Sequence, residues 1–215
     1  MAARSFRMEL AAGRSRSGKT YLTAQRVKAE RNLLVWDTMG EYGRKFSCKR
    51  ITTDAQLKAI VTRGMSGRYA FDVTVTRENF AFFCRCAWLW IRVMHHKKQN
   101  ITLVVEELAD VTPPGKAPPA WGDIVRKSMR FNPHIYALTQ RPAESDKTIL
   151  GNCTVIRCHS MKRANDRKSM ARDMDIDQAH IDALKMGAFE YIECDDRTGV
   201  YTLGGKGAKP KRLKI

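Results

Sequence analysis

The chain has 215 residues, enough for one domain that buries a single core without disulfides or metals. Its 39 Lys and Arg against 22 Asp and Glu leave a formal charge of +17, an excess that a nucleotide-binding domain of metabolism does not need. A polyanion partner, DNA or RNA, would use it, because neutralised phosphates release condensed counterions; the plainer alternative is a solvated basic surface.

In chain order, Ser5 to Ala12 (S-F-R-M-E-L-A-A) reads as a short strand, and Tyr21 to Glu30, without Gly or Pro, as a helix. Between them Gly13, Arg14, Ser15, Arg16, Ser17, Gly18, Lys19 and Thr20 match the phosphate-cradling pattern G-x-x-x-x-G-K-[ST] in full. A loop feeding a helix N-terminus turns unpaired backbone N–H groups toward phosphates. Lys19 is expected to neutralise the β- and γ-phosphates and the Thr20 hydroxyl to take one coordination position of Mg²⁺. ATP and Mg²⁺ are therefore the expected ligands.

Further on, Phe80 to Met94 is mainly apolar but carries Arg85 and Arg92, and it falls short of the ~20 residues of a membrane span; a largely buried helix is expected. No transmembrane segment and no secretory leader are expected. The six cysteines form no C-x-x-C pair and read as reduced structural thiols. The aromatic cluster Phe80, Phe82, Phe83, Trp88 and Trp90 reads as core or subunit contact. His95-His96, followed by Lys97-Lys98, reads as a helix end complementing its dipole.

Ile101 to Val105 is a β-branched run of the kind that fills a parallel sheet buried on both faces, and it ends in Glu106-Glu107, a Walker B pattern. Acids at the carboxyl end of such a strand meet the ligand crevice of an open α/β sheet. Glu106 is expected to hold the Mg²⁺ hydration shell, and Glu107 to orient and deprotonate the attacking water. Thr112 to Trp121, rich in proline, reads either as a semi-rigid excursion on the catalytic edge, with Lys116, Arg126 and Lys127 near phosphates, or as a surface loop with Trp121 in the core.

A third strand, His134 to Leu138, runs into Thr139-Gln140-Arg141-Pro142. The order of phosphate loop, acid-ended strand and strand capped by T-Q-R-P resembles the FtsK/HerA superfamily of DNA-translocating ATPases. Leu33 to Tyr42, a strand ending in D-x-x-G-E-Y, and Cys153 to Arg157 agree with it. Within that superfamily the chain most resembles the genome-packaging ATPases of tailless viruses with an internal membrane, which are little more than the motor domain. The resemblance covers roughly Phe6 to Ser160; it departs from the family in having Glu106 where Asp is commoner.

The resemblance implies a RecA-like (ASCE) P-loop NTPase, an α/β fold with a central mainly parallel sheet flanked by helices. It implies an ATP-hydrolysing motor that translocates double-stranded DNA, without sequence preference, into a viral procapsid. It further implies a homo-oligomeric ring, expected to be a hexamer, docked on capsid vertex proteins, in the host cytoplasm and the virion. Gln140 would be the polar sensor of the γ-phosphate, and Arg130 the arginine offered to a neighbouring subunit's ATP, with Arg141 and Arg157 as rivals. The alternative is an ATPase powering phage protein export or filament assembly. A nucleotide kinase would leave Gln140 and the positive charge unexplained, and the intact loop and acids argue against a non-hydrolysing module.

Beyond the resemblance, Lys162 to Lys168 reads as a solvated helix start, and Ile176 to Met186 as another helix. Tyr191 to Cys194 and Gly199 to Leu203 read as a closing hairpin. The motor domain is thus expected over 1–203, with 204–215 a flexible basic tail.

Overall fold

A computed structural model describes residues 5–215. The opening residues, on which the leader expectation rests, lie outside this range. Ten strands form one sheet: β1 (Arg7–Ala12), β2 (Leu33–Trp36), β3 (Lys49–Ile51), β4 (Arg68–Phe71), β5 (Thr102–Val105), β6 (His134–Thr139), β7 (Val155–His159), β8 (Tyr191–Asp195), β9 (Val200–Gly205) and β10 (Ala208–Arg212). Their spatial order is β10-β9-β8-β7-β1-β6-β5-β2-β4-β3. Every pairing from β7 across to β3 is parallel, and β7, β8, β9 and β10 pair antiparallel. The helices are α1 (Lys19–Arg26), α2 (Glu41–Lys45), α3 (Asp54–Arg63), α4 (Arg77–His96), α5 (Leu108–Val111), α6 (Pro119–Lys127), α7 (Ala164–Asp173) and α8 (Gln178–Asp182).

Strand alternation sends neighbouring residues to opposite faces. Leu34, Trp36, Leu103, Val105 and Leu10 meet α3, α4 and α6 on one side, whereas Leu33, Val35, Val104 and Ala11 meet α1 and α2 on the other. The α4 helix buries Phe80, Phe83, Cys84, Ala87, Trp90, Ile91 and Met94 at helical spacing. Each large apolar side chain so enclosed contributes about 1.5–3 kcal/mol. The aromatic run belongs to the core: Trp36 lies 5.4 Å from Phe80 and 5.5 Å from Phe83 between ring centres, while Trp88, half-buried, leans on Phe131. Among the described residues no helix is long and apolar enough to cross a membrane.

Several boundaries differ from expectation for long-range reasons. The helix after the phosphate loop starts at Lys19 and stops at Arg26, because the Arg68 guanidinium takes the carbonyls of Val27 and Glu30, each at 2.8 Å. Instead of one helix over 176–186, Asp177 caps the short α8 by accepting the Ala179 N–H at 2.8 Å, and a 3-10 turn follows at Met186–Ala188. The segment 204–215 is not a flexible tail. Its β10 pairs with β9, placing Lys211 opposite Leu203 and Arg212 opposite Thr202, and Leu213 N–H reaches the Tyr201 carbonyl at 2.8 Å. Few apolar residues mark this strand because it is exposed along its whole length; backbone pairing holds it instead.

The parallel register brings the strand tips to one edge. Ala12 lies beside Thr139, and Val105 lies beside both Trp36 and Ala137, so the segments that follow β1, β2, β5 and β6 converge there.

Candidate functional site

The phosphate loop is stitched to that edge by backbone bonds: Gly13 N–H to the Thr139 carbonyl at 3.1 Å and Arg14 N–H to the Ser160 carbonyl at 3.0 Å. Only glycine fits at Gly13, where an added Cβ would lie 2.6 Å from that of His159. Gly18 caps α1 with a φ of 93°, a left-handed conformation that lets the first helical N–H groups open into the loop. Lys19, 7% exposed, donates to the Gly13 carbonyl at 2.6 Å and the Arg14 carbonyl at 3.0 Å. Burial pushes its pKa down to about 8, against the pull of Glu107 and Glu106. A cation kept at such desolvation cost, beside a cradle of N–H donors, fits a polyphosphate.

Glu106, 5% exposed, sits beside the Thr20 hydroxyl, which favours its charged form. Burial and the neighbouring Asp37 push its pKa up to about 8. Asp37 itself is fixed by the backbone N–H groups of Glu41, Tyr42 and Gly43 at 2.9, 3.0 and 3.2 Å. This is the work of the D-x-x-G-E-Y turn: Gly40, at φ 62°, folds the chain back so that α2 presents its N-terminus to the acid. Two buried carboxyl groups and a hydroxyl form a hard-oxygen set of the size Mg²⁺ takes from protein, the remainder coming from phosphates and water. Among the described residues no cluster of three His, Cys, Asp or Glu is arranged to enclose a metal.

Glu107 adopts φ 42° and ψ 67°, an uncommon left-handed conformation for a side chain of its size. It thereby turns across the tip of β6. Its Oε1 accepts the Gln140 N–H at 2.8 Å and the Thr139 hydroxyl at 3.3 Å, and burial raises its pKa against these bonds and the charge of Lys19. The Gln140 side chain is exposed.

The three arginines considered for a neighbouring site separate clearly. Arg157 is fully buried, paired with Glu9 at 2.8 Å and donating to the Thr23 hydroxyl at 2.7 Å; it cannot reach another subunit and is withdrawn as a rival. Arg141 is exposed at the catalytic edge, where Arg14, Arg16, Lys162 and Arg163 join it around a groove of about 500 Å³. Arg130 is exposed against the ring of Phe131, with its guanidinium carbon 4.8 Å from the ring centre. It precedes the start of β6 and so lies at the opposite edge of the sheet from the phosphate loop.

The proline-rich segment is pinned rather than free. Lys147 N–H bonds the Gly115 carbonyl at 2.7 Å, Ala117 N–H the Thr148 hydroxyl at 3.0 Å, and buried Trp121 donates its Nε1–H to Asp146 at 2.9 Å. Lys116 and Arg126 remain exposed, whereas Lys127 pairs with Asp123 at 2.6 Å.

Sequence reasoning did not single out His159, Asp37 as a site acid, or the Glu9–Arg157 pair. The D-x-x-G-E-Y turn carried a signal for Asp37, since an acid followed by Gly-Glu announces a capped helix. Nothing local marked the other two, whose positions depend on strand pairing.

Fold and site together define a P-loop nucleoside-triphosphate-binding protein. Among solved structures, the genome packaging NTPase B204 from Sulfolobus turreted icosahedral virus 2 in complex with ATP-gammaS superposes with a TM-score of 0.73 at 16% identity, over 92% of this chain and 96% of that one. The DNA-packaging ATPase B204 from Sulfolobus turreted icosahedral virus gives 0.73 at 17% identity, over 96% and 100%. The cytoplasmic domain of the Thermomonospora curvata type VII secretion ATPase EccC gives 0.52 at 10% identity, with 96% of this chain on 25% of that one. No family model matches the chain. Protein P9 of Pseudoalteromonas phage PM2 is 32% identical over 179 residues, 82% of this chain and 78% of that protein, and the chain belongs to its family.

Proposed function

We propose that this chain is a Mg²⁺-dependent ATPase that drives double-stranded DNA into a viral procapsid. The observation that carries the ATPase reading is the convergence of Lys19, Thr20, Glu106, Glu107 and Gln140 on one sheet edge. Lys19 offsets the β- and γ-phosphate charge, and Thr20 with Glu106 would hold the metal, which would supply charge neutralisation to the transferring phosphoryl group. Glu107 takes the proton of the attacking water, and Gln140, joined to it, senses the γ-phosphate. The packaging reading is supported by the family of the phage PM2 protein, by the fold shared with the viral packaging NTPases over nearly their whole length, and by the +17 charge.

Action on DNA calls for a ring, proposed as a hexamer seated at a capsid vertex, formed in the host cytoplasm and carried in the virion. In a head-to-tail ring, two different surfaces meet at each interface. Arg130, on the edge opposite the phosphate loop, is the residue we assign to the neighbour's ATP. Lys116 and Arg126 are the proposed phosphate contacts, which position a duplex without reading its sequence.

The test is steady-state ATP hydrolysis with and without long double-stranded DNA across a salt series. Stimulation that fades as salt rises is expected of a motor held by phosphate contacts. Turnover indifferent to DNA at every salt concentration would transfer the assignment to protein export.

A further inference from the structure

The catalytic edge continues past the phosphate loop on the side away from Glu106 and Glu107. There Tyr21, Leu22, His159, Phe189, Tyr191 and Lys206 line a largely apolar cleft of about 620 Å³. The two acids follow β5, whereas His159 ends β7 and Tyr191 opens β8; in the sheet order these lie on opposite sides of β1 and its loop. A triphosphate laid over the loop with its last phosphate at Glu107 therefore points its other end into the cleft.

Three features of the cleft identify its occupant. Phe189 holds a left-handed backbone with φ 50°, unfavourable for an aromatic residue, and 37% of it stays exposed beside the loop. A Cβ on Gly18 would lie 3.1 Å from its ring, so the ring is seated against the phosphate loop itself. Tyr21, on the first turn of α1, is 64% exposed and offers a second aromatic face.

The third feature is His159, 1% exposed, whose Nδ1 lies 3.0 Å from the Ser17 carbonyl oxygen. A carbonyl only accepts, so the proton sits on Nδ1 and Nε2 is an acceptor. That Nε2 is buried without a partner among the described residues. A phosphate cannot satisfy it, but a sugar hydroxyl can.

We infer that this cleft is the nucleoside subsite, with Phe189 and Tyr21 stacking on the base of the triphosphate and His159 Nε2 accepting a hydrogen bond from its sugar. The inference rests on the nucleotide-binding reading above. The base is gripped by its faces and not read at its edge, so ATP and GTP are bound about equally, since every base has a π-face.

The experiment is calorimetric titration of the full-length protein with Mg²⁺ complexes of ATP, GTP and inorganic tripolyphosphate. Wild type is expected to prefer ATP and GTP over tripolyphosphate. Phe189→Ala should weaken ATP about tenfold and leave tripolyphosphate unchanged, with KM raised and kcat kept, and Phe189→Tyr should restore ATP. Tyr21→Ala, at an exposed position that folding does not need, should weaken ATP in the same selective way.

Equal loss of ATP and tripolyphosphate in both variants would make these rings braces of the loop and overturn the inference. So would unchanged ATP affinity in both variants alongside a Lys19→Ala variant that binds neither ligand. Wild type that binds no ligand at all would remove the nucleotide reading together with the subsite.

Discussion

The Glu107 carboxylate accepts the Gln140 backbone N–H at 2.8 Å, so the acid that follows β5 is tied to the amide that follows β6. The proposed base cannot shift without moving the backbone of the proposed sensor. Each is thereby placed to report the state of the other.

That tie sets the first prediction. A glutamine at 107 keeps a carbonyl oxygen for the Gln140 N–H but cannot take a proton. Glu107→Gln is expected to keep ATP affinity and lose turnover by about 10²–10⁴-fold. Binding titration and steady-state hydrolysis on the same preparation decide it, and near-normal turnover would reject Glu107 as the base.

Glu106 leads to a prediction about pH. An unfolded carboxyl titrates near ~4.3. In the folded protein the Glu106 value is pushed up to about 8 by burial and Asp37. Between those values the folded chain holds a proton that the unfolded chain has shed, so stability declines as pH rises through this window and stays lost above it. Glu106→Gln should flatten the decline and raise stability at about pH 8 by on the order of 1–3 kcal/mol, while abolishing Mg²⁺-dependent turnover. Urea denaturation at both ends of the window checks it; a slope equal to that of wild type would discount the carboxyl.

The buried Glu9–Arg157 pair is a stability element. Arg7 and Arg26 also reach Glu9, at 2.7 and 2.8 Å, but Arg157 alone of the three is completely enclosed. Arg7 and Arg26 both hold Glu9 Oε2, so removing Arg157 strips the buried Oε1 of the cation that faces it, and Arg157→Leu is expected to cost about 3–5 kcal/mol by chemical denaturation. A loss below ~1 kcal/mol would mean that Arg7 and Arg26 suffice for Glu9.

Arg130 is tested by mixing subunits. Arg130→Ala and Glu107→Gln subunits are each expected to be inactive alone and to regain turnover together, because hybrid interfaces pair an intact arginine with an intact base. Absence of recovery at every mixing ratio, with recovery when Arg141→Ala replaces Arg130→Ala, would assign the role to Arg141.

Trp121 anchors the proline-rich segment through its bond to Asp146. Trp121→Phe keeps most of the ring but strands a buried acceptor, and should destabilise by about 1–3 kcal/mol. Hydrogen exchange at Lys147, whose N–H holds Gly115, should rise with it if the two attachments act together.

Much of this architecture was legible locally. The phosphate loop, the acid-ended strand and the strand before Thr139-Gln140 each carry a pattern confined to a few residues, and the mainly parallel sheet follows from their order. What stayed hidden depends on partners distant in sequence. Arg68 ends α1 from some 40 positions away, Arg157 finds Glu9 only through the pairing of β7 with β1, and β10 is held by backbone groups that no side-chain pattern announces.

The two outer strands of the sheet have a bearing on how copies of the chain meet. At one border β3 is only three residues long, with Lys49 and Arg50 exposed. At the other, β10 carries Lys209, Pro210, Lys211 and Arg212, and its register shifts between Ala208 and Lys211. Like charges, a missing N–H and a broken ladder all oppose the addition of another strand. In the proposed ring, sheets of adjacent copies would therefore not fuse into a continuous ribbon, and subunits would meet through side chains on helices and loops, contacts free to slide and re-form while every strand stays paired within its own copy.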